Sequence, residues 1–213
     1  MNAAIDEVWR SLGLAPSSAQ LDQLAAFLTL LQRWNATYNL TALRDPAQML
    51  THHLADCLTV VAPLRREIGD RAGVRLLDVG SGGGLPGAVL AIMLPTLDVT
   101  CVDTVGKKAA FVRQVGAELG VPNLHAEHAR VEALGGRGFD LVTSRAFASL
   151  ADFVRLTRTR LADGGVWMAM KGKPPAEELA GVPADIEVFH VEPLAVPGLD
   201  AERCLVWMRP RKD

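Results

Sequence analysis

The chain has 213 residues, 49% apolar and 22% charged, a balance that suits a packed interior and excludes both wholesale disorder and two domains of ordinary size. Lys and Arg number 22 against 24 Asp and Glu, a formal charge of −2. A uniformly basic nucleic-acid binder is thereby excluded, and any RNA contact must come from a local cluster of cations.

The three cysteines, Cys57, Cys101 and Cys204, are odd in number and far apart. They fit neither a disulfide framework nor a CxxC zinc site, and read as reduced, buried, small apolar side chains. No apolar run reaches the roughly 18 residues a membrane span needs, and segment 1–14 carries Asp6, Glu7 and Arg10. The protein is therefore expected to be cytoplasmic.

Residues 1–70 read as a helical extension. Ser17 and Ser18 stand where an N-cap belongs, and Leu21, Leu24, Phe27, Leu28, Leu31 and Trp34 follow at helical spacing, giving one apolar stripe. Segment 35–44 is rich in turn formers and is expected to end that helix. A second helix is expected to open at Pro46, which suits a first helical turn, and to run through Met49, Leu50, His53, Leu54, Cys57, Leu58 and Val61. This extension is expected to pack against the remainder and shape its substrate side.

Residues 71–213 change pattern. Short apolar runs alternate with amphipathic stretches, the mark of βα units and of a parallel sheet buried on both faces. Strands are predicted at 74–79, 99–102, 124–126, 141–143 and 165–170, with helices at 85–94, 107–119 and 150–161. A helix start at Pro174 and Pro175 precedes two final strands, 186–191 and 203–208, whose hairpin-like pairing predicts a seven-stranded mixed sheet. The chain thus reads as one α/β domain, 1–213.

The informative segment is Asp78-Val79-Gly80-Ser81-Gly82-Gly83-Gly84-Leu85-Pro86-Gly87. A strand that runs into several glycines and then a helix makes a loop whose backbone comes very close to a ligand. Gly82, Gly84 and Gly87 satisfy the dinucleotide GxGxxG spacing, and Asp103 follows at about the distance that fingerprint requires. An NAD-dependent oxidoreductase is therefore one reading, although no evident catalytic acid accompanies it. Asp78 favours the other reading, because a carboxylate beside the loop repels a pyrophosphate and suits a cofactor bearing an ammonium and a sulfonium. Asp103 can accept hydrogen bonds from ribose hydroxyls in either case.

Six motifs occur in a telling order: Asn39-Leu40-Thr41-Ala42 with Arg44-Asp45-Pro46; His53-Leu54-Ala55-Asp56-Cys57-Leu58; Asp78 to Gly87; Asp103 with Gly106-Lys107-Lys108; Ser144-Arg145-Ala146-Phe147-Ala148; and Met170-Lys171-Gly172. Across residues 20–175 the chain resembles the RsmG (GidB) family. The resemblance implies a Rossmann-like class I methyltransferase fold, a seven-stranded mostly parallel sheet with an N-terminal helical extension. It also implies S-adenosyl-L-methionine as cofactor and N7-methylation of a specific guanine in 16S ribosomal RNA, as RNA or as the small ribosomal subunit particle. Carried over by motif, it implies cofactor contacts at Gly80, Leu85, Asp103, Val131, Glu132 and Arg145; the residues themselves add Asp78 and Gly82.

Lys107, Arg130, Arg145 and Lys171 fall at or just beyond predicted strand ends, so one rim of the sheet is expected to be basic and to meet RNA. Guanine N7 carries a lone pair and no proton, so its attack on a sulfonium methyl needs alignment and proximity and no general base. No catalytic residue is therefore nominated. His53 and Asp56 lie three apart on one helical face, without the further ligands a metal needs, and are expected to hydrogen-bond helix to loop. A non-catalytic RNA-binding module is the remaining alternative, disfavoured by the intact glycine loop and its acidic companions.

Overall fold

The computed structural model describes residues 2–145, 147 and 149–211. It opens with helix α1, Asn2–Ser11, and the long helix α2, Ser18–Tyr38. Ser17 and Gln20 form a reciprocal capping box, the Gln20 N–H donating to Ser17 Oγ and the Ser17 N–H to Gln20 Oε1. Leu24, Phe27, Leu28, Leu30 and Leu31 make its buried face.

The helix continues through residues expected to be a turn and stops at Asn39, whose φ is 50°. The reason lies in Asn35. An exposed Asn competes with helix backbone bonds, but Asn35 is buried, donates to the Leu43 carbonyl at 2.7 Å and accepts from the Thr41 N–H at 2.8 Å. Its polarity ties down the following loop and leaves the helix intact.

Asp45 caps α3, Pro46–Met49, with Pro46 in the first turn as expected. The expected long helix is then broken up: a π turn at Leu50–Ala55, α4 at Asp56–Leu58 and α5 at Val61–Ile68. Wider i→i+5 winding is rare and clusters at functional sites; here it carries His52 and His53.

Seven strands follow: β1 Arg75–Val79, β2 Asp98–Asp103, β3 Leu124–His128, β4 Phe139–Ser144, β5 Leu161–Lys171, β6 Ile186–Leu194 and β7 Arg203–Pro210. They form one sheet in the order β3-β2-β1-β4-β5-β7-β6, parallel from β3 to β5 and antiparallel at β7. Helices α6 Gly87–Met93, α7 Gly106–Glu118, α8 Leu150–Thr157 and α9 Ala176–Ala180 complete the element order. Helix α8 is shorter than the sequence suggests, because a single 3-10 turn and then β5 occupy its last residues. Strand β5 begins before the expected 165–170, since residues 161–164, with Gly164 at φ 75°, belong to it beside a register shift against β4.

Alternate strand residues face opposite layers. On one side Leu76, Val99, Leu141 and Met168 join one apolar cluster with Leu24, Phe27, Leu28 and Leu31 of α2 and with α6 and α7. On the other, Leu77, Val142, Trp167 and Val206 pack with Leu150, Phe153 and Val154 of α8. Among the described residues no helix is long and apolar enough to cross a membrane. The chain reverses its winding direction between β1 and β4, and open α/β sheets bind ligands at the carboxyl ends of strands flanking that point.

Candidate active site

The loop between β1 and α6 is held from below by Asp78. Its carboxyl group is fully buried, Oδ2 accepting the Gly87 N–H at 2.9 Å and lying 3.9 Å from Cys101 Sγ, while Oδ1 has no partner among the described residues. Burial pushes this carboxyl up to about 7, against the pull of the Gly87 N–H and of Arg145. Gly87 is required by close approach, since a Cβ there would lie 2.5 Å from Cys101 Sγ. Gly80 (φ 68°) and Gly82 (φ 56°) take left-handed conformations that carry the chain around the loop.

Asp103, at the end of β2, pins the same loop from the side. Its Oδ2 accepts the Gly82 N–H at 3.0 Å and its Oδ1 the Val105 N–H at 2.9 Å, with Lys108 Nζ at 3.8 Å. Beside it opens a cleft of about 450 Å³. Gly80 and Asp103 form one wall, Val102, Val131, Leu156 and Phe147 supply apolar surface, and Lys108, Arg130 and Glu132 also line it. A Cβ on Gly80 would meet no atom within 4 Å, so bare backbone faces the cleft. An acidic strand end next to an apolar slot fits a nucleoside, with ribose hydroxyls on Asp103 and a flat base against Val131 and Phe147. The residues present therefore fit the adenosine part of S-adenosyl-L-methionine.

A second cavity, of about 350 Å³, is lined by His52, His53, Asp56, Arg145, Lys171 and Arg203, with Met170 and Gly172. The π turn assembles one side of it. Arg145 Nη1 donates to the His52 carbonyl at 3.1 Å and to His53 Nδ1 at 3.2 Å, and lies 3.6 Å from Asp56 Oδ2. Asp56 Oδ1 accepts from Arg203 Nε at 3.2 Å.

Burial raises the Asp56 pKa and the two guanidinium groups partly oppose it. Burial, reinforced by Arg145, lowers His53 to about 4, so its ring is neutral. His53 Nδ1 lies between Arg145 Nη1 at 3.2 Å and the His52 carbonyl at 3.1 Å, and Nε2 lies 2.6 Å from Thr41 Oγ1. This is the expected bond from helix to loop. Among the described residues no group of three or more His, Cys, Asp or Glu is placed to hold a metal.

The cleft and the cavity share a wall, because Phe147 faces the first and Arg145 the second. Lys171 Nζ donates to the Phe147 carbonyl at 3.3 Å and to Glu178 Oε2 at 2.7 Å, and that oxygen also accepts the Leu150 N–H.

Residues 20–206 match the profile of the family described as rRNA small subunit methyltransferase G (GidB). The chain belongs to this family. It is 59% identical over 214 residues to "Ribosomal RNA small subunit methyltransferase G" of Acidovorax sp. (strain JS42), covering 97% of this chain and 94% of that protein. It is 62% identical over 202 residues to the protein of the same name from Leptothrix cholodnii (strain ATCC 51168 / LMG 8142 / SP-6), covering 95% and 92%. Among solved structures it resembles TrmN from Thermus thermophilus, with a TM-score of 0.57 at 18% identity over 76% of this chain and 53% of that one. It also resembles the glycopeptide N-methyltransferase MtfA complexed with sinefungin, with a TM-score of 0.58 at 12% identity over 71% and 85%. The fold is that of the class I methyltransferases, Rossmann-like with a mostly parallel seven-stranded sheet.

In this family member the structure gathers Gly80, Asp103, Val131, Glu132 and Arg130 around one cleft. Gly82 contributes through its N–H to Asp103. Three of the expected positions have surroundings that the sequence did not show. Asp78 is sealed beneath the loop, its carboxyl on the Gly87 N–H, and it is not among the residues lining the cleft. Leu85 is 3% exposed and packs in the core, because the loop turns its side chain inward.

The four-cation rim is also divided. Arg130 faces the cleft, Arg145 and Lys171 face the cavity, and Lys107 is exposed on the first turn of α7, lining neither of the two, while its neighbour Lys108 faces the cleft. Lys171 is ion-paired to Glu178 and supports the shared wall, and Arg145 faces the cavity alone of the two sites. Arg203 and Leu156 escape a reading of the sequence, and Lys108 stands in a quoted motif without an assigned role. Phe147 lies in a quoted motif without an assigned role, and its neighbours Ala146 and Ala148 lie outside the described residues.

Proposed function

We propose that this chain transfers the methyl group of S-adenosyl-L-methionine to N7 of a guanine in 16S ribosomal RNA, in the cytoplasm, working as a single domain over residues 1–213. The observation that carries the proposal is the pairing of a nucleoside-shaped cleft, lined by Phe147, with a cationic cavity lined by Arg145. The printed names of the relatives, all ribosomal RNA small subunit methyltransferases, support the same substrate.

When bound, the cofactor supplies an electrophilic methyl on a positively charged sulfur. Gly80 and Asp103 orient its nucleoside end, and the apolar slot formed by Val131 and Phe147 excludes water from it. The nucleophile needs no deprotonation, in keeping with a neutral His53 whose two ring nitrogens are engaged by Arg145 and Thr41. Catalysis then rests on holding the base and methyl in line at short range. Arg130, Arg145 and Arg203 supply local cationic charge for an RNA strand on a protein of net charge −2.

The test is incubation of the pure protein with labelled S-adenosyl-L-methionine and either 16S RNA or small-subunit particles lacking the modification, followed by mapping of the labelled nucleotide. Label at one guanine N7 is expected; label elsewhere, or none on either substrate, rejects the proposal. Calorimetry should show binding of S-adenosylhomocysteine and none of NAD.

A further inference from the structure

The second cavity contains a carboxylate that the binding of an RNA backbone does not explain. Asp56 is 3% exposed and lines the cavity, and its two oxygens are unequally used. Oδ1 accepts from Arg203 Nε at 3.2 Å, whereas Oδ2 faces Arg145 Nη1 at 3.6 Å, too far for a hydrogen bond. Each carboxylate oxygen has two lone pairs, so a group with two adjacent N–H donors can still be accepted. A phosphate, by contrast, would be repelled by this carboxylate. Arg203 and Arg145 are already turned to Asp56, at 3.2 and 3.6 Å, and Lys171 is paired with Glu178 at 2.7 Å.

Of the nucleobases, guanine offers two adjacent donors, N1–H and the N2 amine, on its Watson–Crick edge with the O6 acceptor beside them. Those donors lie on the side of the purine away from N7. A guanine whose N7 faces the cleft therefore directs them across the shared wall and into the cavity.

Resting on the function proposed above, we infer that Asp56 is the residue that recognises the target guanine, accepting N1–H and N2–H while the Arg145 guanidinium donates to O6. The π turn sets this geometry: by taking Arg145 Nη1 on the His52 carbonyl and His53 Nδ1, it holds the guanidinium beside Asp56, and its other N–H groups bond to none of the described residues. Adenine is rejected, because its N1 lone pair would face the carboxylate. The same contact assists turnover. Methyl transfer places positive charge on the purine ring and strengthens N1–H as a donor, so the hydrogen bond to Asp56 grows stronger in the transition state than in the ground state.

The test crosses the protein with the base. Small-subunit RNA is assembled with guanine or inosine at the mapped position, inosine lacking only the N2 amine, and kcat and KM are measured for the wild type, Asp56→Asn and Asp56→Glu. The wild type is expected to favour guanine by about tenfold or more in kcat/KM, the scale of one base-edge contact, with most of the difference in kcat. Asp56→Asn is expected to treat the two bases alike, and Asp56→Glu to recover part of the preference.

A purely structural Asp56 would lower both substrates equally and leave the ratio unchanged in Asp56→Asn, which overturns the inference. Should neither variant fold, as judged by S-adenosylhomocysteine binding, the wild-type comparison decides: parity between guanine and inosine overturns it and points to a backbone phosphate in the cavity. Failure of the wild type on guanine itself would instead reject the underlying methyltransferase reading.

Discussion

Replacing Asp78 by Asn should change how stability depends on pH more than it changes stability at any one pH. Asp78 is fully buried, with one carboxyl oxygen lacking a partner among the described residues and the other on the Gly87 N–H. Burial raises its pKa from 3.8 to about 7 in the folded protein. A carboxyl with a higher pKa folded than unfolded holds its proton more tightly in the native state. Its stabilising contribution is complete below about pH 3.8, declines as the pH rises and is gone above about pH 7. At about 1.4 kcal/mol per pH unit, the wild type loses on the order of 4 kcal/mol across that window through this one group.

Asp78→Asn keeps an oxygen for the Gly87 N–H and cannot ionise. Urea denaturation of both proteins at pH 5, 6, 7 and 8 isolates the effect, since every other titrating group cancels in the difference. Relative to the wild type, the variant should gain on the order of 2–3 kcal/mol between pH 5 and pH 8. Parallel stability curves, with a constant offset between the two proteins, would refute the reasoning.

Three further substitutions test the scaffold of the site. Gly87→Ala places a methyl 2.5 Å from Cys101 Sγ and 2.9 Å from Asp78 Oδ2; it should cost about 1–3 kcal/mol in thermal or urea unfolding, and adding Cys101→Ala should restore part of that. Leu31→Ala opens a void beneath the loop, because Leu31 is fully buried and its Cδ1 lies 2.9 Å from where a Cβ of Gly83 would be. A loss of about 2–5 kcal/mol is expected, with weaker S-adenosylhomocysteine binding by calorimetry. Lys171→Ala removes the donor that holds Glu178 and the Phe147 carbonyl. It should reduce RNA turnover and, through Phe147, weaken S-adenosylhomocysteine binding by roughly three- to tenfold, the value of about one hydrogen bond; unchanged cofactor affinity would show that the wall stands without it.

Local signals carried the reading a long way where each residue's role is set by its neighbours in sequence. The N-cap at Ser17, the Pro46 start, the short apolar runs of β1 and β2 and the glycine turn after Val79 are all set within a few residues. Reading failed where a polar side chain has a distant partner. Asn35 looks like a helix breaker until Thr41 and Leu43 take its amide. Asp78 looks like a ligand contact until the layers close over it.

The sequence by itself determined the class of fold, the existence of a cofactor loop and its acidic companion Asp103, because period, glycine spacing and strand-end position are properties of short segments. Only the tertiary structure decided that the expected basic rim is two separate places, and that Asp56 meets Arg203, 147 residues away, and Arg145. Pairing of that kind depends on which strands become neighbours. With β7 inserted antiparallel beside β5, Arg203 is brought to the end of the sheet where β4 releases Arg145, and no local pattern in the chain encodes that meeting.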